Sequence, residues 1–389
     1  MGGGVPSLPA PRFLNDADGT DPNLILADMI SAFESAAGRT LQPAQVERLL
    51  INLYAYRESL VRNAIQYAAQ QNLLAFASFP MIDYLGALLG VTRLTAQPAT
   101  VTLQFTLANA LTVAYTIAAG TQVAASDGQQ VFATDAELVI APGASSASVN
   151  ATATVAGPGG NGYLAGQINV ALNPSALVSV VTNTSTSSGG SAPESDDHLR
   201  TRIQAAPNQF SAAGPAGAYR FFALGVDPSI IDVQVISPAP GQVNVYVLTG
   251  PLTVQPAPAP NNIGIAGPAL LAEVQAALNA DKVRPVTDTV SALAVSEIDY
   301  QINASITLYS DADPTVTMAA VQTAAEQVAI QLASKIERDI VPSQIISALS
   351  VPGVYAVVLS APLYTQLSPG QWANCTSIVL EQAVSGEHS

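Results

Sequence analysis

The chain has one cysteine, two histidines and one tryptophan in 389 residues, and only 11% of its residues are charged. A single thiol, Cys375, makes an intrachain disulfide impossible, so a reducing compartment suits the protein. One cysteine and two histidines also fall short of a structural zinc site of the usual kind. Lys and Arg total 13 against 28 Asp and Glu, a formal net charge of −15, and the basic residues form no run. Phosphate neutralisation needs clustered cations, so a nucleic-acid partner is not expected. No uninterrupted apolar run approaches the ~18 residues of a membrane span, so no membrane partner is expected either. The opening MGGGVPSLPAPRFLND lacks the basic start and apolar core of a secretory signal, and Pro6 stands where a myristoylation signal carries Ser or Thr. The expected product is soluble and made in the cytosol.

Hydrophobic residues make up 49% of the chain, and its length implies two to four domains. With so little charge, the exterior is either an Ala/Ser/Thr/Gln surface or, for part of the chain, a surface hidden against partners; the second is favoured. Copies of so acidic a chain repel one another within the ~8 Å that salt leaves unscreened, so contacts between copies should be apolar or use less acidic partners.

The patterning predicts a multidomain α+β fold: an N-terminal α-helical segment, a small all-β domain and two C-terminal α+β units. The expected divisions are an extended arm over 1–23, helices over 24–95, a β domain over 96–182, a linker over 183–193, and α+β domains over 194–295 and 296–389. Asp21-Pro22 reads as a cap and first turn, and Gly38 as the end of that helix. A longer helix is predicted from Pro43 to Asn72. Along it Val46, Leu49, Leu53, Tyr56 and Leu60 keep the 3-4-3-4 spacing of a seam that packs lengthwise on another helix. A second stripe, Leu50, Val61, Ala64 and Ala68, widens that face and carries Arg57. Two readings stay open: a bundle core inside this chain with Arg57 at its edge, or docking on another subunit's helix through Arg57 and its neighbours. A third helix is predicted near Met81 to Gly90.

From Ala99 the period shortens. Val101, Leu103, Phe105 and Leu107 alternate with Thr102, Gln104 and Thr106, which predicts a strand with one buried face. Strands are also expected at Gln122–Ala125, Gln130–Thr134, Glu137–Ile140 and Ser146–Val155, with Asp127-Gly128 as a hairpin turn. The tract Asn183–Pro193 has linker composition. Beyond it come a helix, an apolar turn, a second helix and two strands joined at Ser237–Gly241. A helix over Pro268–Asp281 follows. The last domain reads as strand Tyr300–Leu308, helices Pro314–Ile336 and Pro342–Leu349, and strands Val354–Leu359 and Thr376–Leu380. Pro251–Pro268 reads as an extended proline-rich loop.

Catalytic and ligand-binding patterns are scarce. Ser195, Asp196, Asp197 and His198 are sequence neighbours at a helix start, where Glu194, Ser195 and Asp196 are better read as capping groups than as a triad. Gly157–Gly162 matches GxGxxG literally, but no helix pattern follows and the next acidic residue is Glu194. Asn15, Asp16, Asp18 and Asp21 suggest calcium, yet aligning Gly19 with the loop glycine puts Leu14 and Ile25 at the end ligand positions. No carboxylate pair is singled out by spacing. No catalytic residue, cofactor or metal site is expected.

The stretch ESDDHLRTRI…FSAAGPAGAYRFFAL…DPSIIDVQV…PGQVNVYVLT (Glu194–Thr249) resembles the baseplate J-like family of contractile phage tails and related injection devices. The likeness extends to Ala280–Asp288, Asp339–Ile346, Val351–Tyr355, Arg39–Glu58 and Tyr84–Val91. The chain departs from the family at Pro251–Pro268 and after Leu367. The resemblance implies an architectural role and not an enzyme. Copies would form a ring of wedges around the central spike hub, contacting a lysozyme-like wedge protein and a tail-protein-I-type partner, and indirectly the tail fibres. The ring would rearrange to release sheath contraction, and the protein, made in the host cytoplasm, would reside in the virion baseplate. Arg57 and Arg62 are candidates to pair with partner carboxylates, and Arg200, Arg202, Tyr219 and Arg220 to act as positioners; intrachain pairing of those arginines with Glu194–Asp197 is the competing reading. Two other classes remain as alternatives: a receptor-binding or fibre-like tail protein, and a cell-wall polysaccharide hydrolase.

Overall fold

The computed structural model describes residues 9–14, 19–173, 175–210, 215–250, 264–280, 283–285 and 287–383. Asn15, Asp16, Asp18, Gly214, most of the Pro251–Pro268 loop and His388 lie outside the described residues. The chain divides into two compact units, Met1–Thr92 with Leu199–Ile203, and Arg93–His198 with Gln204–Ser389.

The first unit is helical. Helix α1 (Pro22–Ala37) starts where Asp21 accepts from the Asn23 amide, and ends at Gly38, whose φ of 64° suits glycine. Helix α2 (Val46–Gln70) begins three residues later than the pattern predicts, because Gln45 is still extended at φ −78°, ψ 146°. Its far end is turned by Gln71, which is buried and bonds Phe76 O and the Ser78 amide. Helix α3 is Met81–Ala87. A Cβ at Gly86 would meet the Val91 carbonyl and the Ile203 side chain, so glycine permits that close approach.

The second unit contains a barrel-like β domain and two α+β domains. The β domain holds β1 (Thr100–Leu107), β2 (Tyr115–Ile117), β3 (Gln122–Ala125), β4 (Val131–Thr134), β5 (Leu138–Ile140), β6 (Ser146–Ala153), β7 (Ile168–Ala171) and β8 (Val178–Asn183). Six of them make one sheet in the order β7-β3-β4-β6-β1-β8, while β2 pairs with β5. Val101, Leu103, Phe105 and Leu107 of β1 are buried as the alternation predicts. They pack with Phe132, Ile140 and Ile168 in a core that closes the domain. Strands β2, β7 and β8 escape sequence reading because they lack a clean alternation. The predicted linker after Asn183 is laid along the barrel: Ser188 and Ser191 exchange backbone hydrogen bonds with Thr100 and Gln97, and Ser187 is buried. Its small side chains allow that close packing. Gly157–Gly162 forms a 3₁₀ turn at Pro158–Gly160 with no helix after it.

Helices α4 (Asp196–Ala205) and α5 (Ala216–Leu224) precede β9 (Ile230–Ala239) and β10 (Gln242–Thr249), then α6 (Pro268–Leu278) and β11 (Thr289–Ala294). Strand β10 is antiparallel to β9 and parallel to β11, with α6 in the crossover. The last domain comprises β12 (Ser296–Leu308), α7 (Pro314–Ala333), α8 (Pro342–Leu349), β13 (Val354–Ala361) and β14 (Gln371–Gln382). Here too the central strand, β12, has one antiparallel neighbour, β13, and one parallel neighbour, β14. Each sheet covers its own core beneath its helices. Leu248, Val295, Ala333, Ile336 and Trp372 form a further cluster that joins the two α+β domains, and the Trp372 indole N–H donates to Ala333 O at 2.7 Å.

Candidate interaction surface

Helix α2 turns only a narrow stripe inward, with Ala55 and Ser59 buried against the first unit. The seam predicted from spacing points the other way. Val46, Leu49, Leu53, Tyr56 and Leu60 are 45–68% exposed, so the described residues do not cover them and form no bundle core with them. Leu50 and Val61 of the second stripe are exposed as well, as are Tyr54, Ile65 and Tyr67. The reason is that α1 packs along the opposite side of α2, where Pro11, Phe13 and Gly19 also bond to Gln66, Gln70 and Arg62, which the spacing by itself did not reveal. These side chains give α2 an apolar face that the described residues leave open to solvent.

The charges of α2 sort to the two sides. Arg62 donates to Glu58 at 2.5–2.8 Å and to Gly19 O at 3.3 Å, so it is held within the chain. Glu47 pairs with Arg39 at 2.7 Å; backbone hydrogen bonding in the first turn, then Arg39, holds its carboxyl below the usual range. Arg57 is an exposed charged side chain of the helix, and no carboxylate pairs with it among the described residues.

The other arginine candidates fasten the chain to itself. Arg200 donates to the Leu74 and Ala77 carbonyls, both at 2.8 Å, and Arg202 to Thr92 O. Arg220 pairs with Asp232 at 2.7 Å and also donates to Val233 O. Tyr219 is buried and donates to Asp288 at 2.6 Å; burial first, then that carboxylate, pushes its hydroxyl pKa far up. The acidic stretch Glu194–Asp197 takes a guanidinium that sequence reasoning passed over: Arg93 donates to Asp196 and to Glu194 O, both at 2.6 Å.

Around His198 no triad forms. Ser195 Oγ accepts from the His198 backbone amide as a helix cap, while the imidazole Nδ1 faces Glu194 Oε1 and Nε2 faces Ile230 O, each at 2.6 Å. Among the described residues no group of three His, Cys, Asp or Glu side chains is arranged to hold a metal, and no helix is long and apolar enough to cross a membrane.

Comparison with known proteins places these elements. Family models of baseplate J-like proteins match in order along the chain: the N-terminal domain over 47–100, the barrel domain over 102–190, the central domain over 211–294 and the C-terminal domain over 300–381. Baseplate protein J of Escherichia phage P2 is 38% identical over 172 residues, which is 44% of this chain and 53% of that protein. The aligned region thus spans about half the length of that relative. A cryo-EM structure of the anti-feeding prophage baseplate aligns with a TM-score of 0.42 at 14% identity, covering 92% of this chain and 90% of that one. With one domain model of the same family following another through most of its length, this chain belongs to the baseplate J-like family, whose members are structural baseplate proteins and not enzymes.

Proposed function

We propose that this protein is a wedge component of a contractile tail baseplate, located in the virion, whose copies form a ring around the central spike hub and rearrange to trigger sheath contraction. Its partners are other baseplate subunits, a lysozyme-like wedge protein and a tail-protein-I-type chain among them, together with further copies of itself. The observation that carries this reading is the uncovered α2 face. Val46, Leu49, Leu53, Tyr56 and Leu60 form the knobs of a helix-to-helix contact, and Arg57 supplies a charge for a partner carboxylate. Arg62, Arg200 and Arg202 serve as positioners within the helical unit, and Tyr219 and Arg220 within the α+β domain that contains them. In this reading the functional parts are the arm 1–23, the helices 24–95, the barrel 96–182, the strap 183–193 and the α+β domains 194–295 and 296–389. A ring that must hold and then switch needs stiff bodies meeting at replaceable interfaces, and an exposed seam on a rigid helix suits that requirement.

Deleting the gene from its parent genome tests the proposal. Capsids without assembled tails are expected, with restoration by the gene supplied in trans. Normal contractile particles from the deletion would reject it.

A further inference from the structure

The two edge strands of the β domain, β7 and β8, are consecutive in sequence yet stand at opposite ends of the sheet order. Across the seam between them, Gly166 N donates to Asn183 O, and the buried Asn183 side chain accepts from the Ile168 amide at 2.8 Å and donates to the carbonyls of Leu164 and Ser185. Beyond Asn183 the seam opens into a cavity of about 630 Å³.

Its lining has a particular order. From β8 every residue from Val178 to Thr182 borders the cavity, so it runs along the strand's edge and not along one face. From the other side Asn169, Ala171 and Asn173 contribute, the alternate positions of one face of β7 and its extension. Register identifies the backbone groups that β1 leaves unpaired. Thr184 N donates to Thr102 O, so pairing with β1 recurs at Thr182 and Val180, and the N–H and C=O of Val181 point away from β1 toward the cavity. A free strand edge is a template for another strand. The cavity lining contains no Asp, Glu, Lys or Arg, which disfavours a charged occupant, and Phe105, Ile117 and Val181 give it an apolar floor.

We infer that this cleft receives an extended, uncharged segment of a neighbouring baseplate subunit, which adds as a strand along β8. The free run Val178–Thr182 is about 16 Å long at roughly 3.3 Å per residue, enough for four or five residues of the incoming chain. The inference rests on the baseplate reading but concerns a surface independent of α2.

Hydrogen exchange at the Val181 amide, compared between the isolated protein and purified tails, tests it. The isolated chain should exchange this amide rapidly, and assembled tails should slow it at least tenfold. Asn173→Lys, an exposed change that puts an ammonium in the cleft, should leave the melting temperature unchanged and abolish the slowing in tails that incorporate it. A Val181 amide already slow in the isolated protein, or equally fast in tails that contain the chain, overturns the strand proposal alone. Slowing that persists in the lysine variant overturns it too. Absence of the chain from purified tails overturns this proposal and the baseplate reading together.

Discussion

Replacing Leu49, Leu53 and Leu60 together by alanine separates an assembly surface from a core. Each of these side chains is 45–59% exposed in the isolated chain, so its remaining area is available to a partner. Full burial of a leucine stabilises by ~1.5–3 kcal/mol, so covering the exposed half contributes ~1 kcal/mol each and ~3 kcal/mol for three. At 1.4 kcal/mol per tenfold, docking should weaken by about a hundredfold. Folding of the isolated protein should change little, because alanine is the best helix former and surface substitutions usually stay within ~0.5 kcal/mol. The assay pairs urea unfolding of the purified variant with complementation of the gene deletion, counting intact tails by electron microscopy. The expected result is a normally stable protein that fails to restore tails. Tails at wild-type frequency would refute the docking role of the seam. A loss of several kcal/mol of folding stability would instead show that the leucines are covered within the chain.

Arg57→Glu should reduce tail assembly while leaving the melting curve in place, and a restored count on adding salt alone would contradict a specific carboxylate partner. Asn183→Ala should destabilise by about 3 kcal/mol in urea unfolding, since it orphans the buried Ile168 amide and the carbonyls it serves; a change below about 1 kcal/mol would contradict its role in closing the barrel. Asp232→Ala removes the acceptor of the buried Ile336 amide at 3.0 Å and the partner of Arg220, and should cost about 2–3 kcal/mol; an unaltered denaturation midpoint would refute it. Tyr300 buries its hydroxyl beside the Cys375 thiol, and burial foremost, then that thiol, drives its pKa far up. Because the folded pKa exceeds the unfolded value of about 10, this stability is complete below pH ~10 and is lost as pH rises above it. Tyr300→Phe should therefore be neutral to stabilising at pH 7 and flatten the alkaline decline; an unchanged decline would show that Tyr300 is not its source.

Helix and strand type were legible wherever a long period ran undisturbed. Asp21-Pro22 and Gly38 bracket α1 as capping chemistry requires, and β1 buries the residues its alternation assigns. Reading failed where structure depends on distant partners. Strand β11 is visible only through its parallel pairing with β10, supplied by a crossover through α6. The serine- and glycine-rich tract after Asn183 has the composition of a free linker, yet those small residues let its backbone lie against Gln97–Thr100. For the candidate surface, spacing picked out an apolar stripe on α2 but could not say which side α1 takes. Composition found the arginines but not their partners, because Arg93–Asp196 spans 103 positions and Arg220–Asp232 is fixed by the entry of β9.

Scarcity of cations makes their placement informative. With 13 Lys and Arg in the whole chain, each one has few competitors for the acidic groups around it. Arg39, Arg62, Arg93 and Arg220 hold carboxylates, while Arg200, Arg202, Arg284 and Arg338 donate to backbone carbonyls. These guanidinium groups fasten loops and helix ends that the short hydrophobic elements leave loosely defined, a use that suits a planar donor able to reach two acceptors. Arg57 departs from this economy. It stands exposed amid leucines and tyrosines, where an isolated charge adds nothing to the fold and an apolar residue would only extend the seam. A solitary cation at the middle of an apolar stripe sets register and partner choice between helices, and it repels a second copy of the same helix aligned in register. On the docking proposal, the helix that covers this stripe carries an acidic residue at the position facing Arg57.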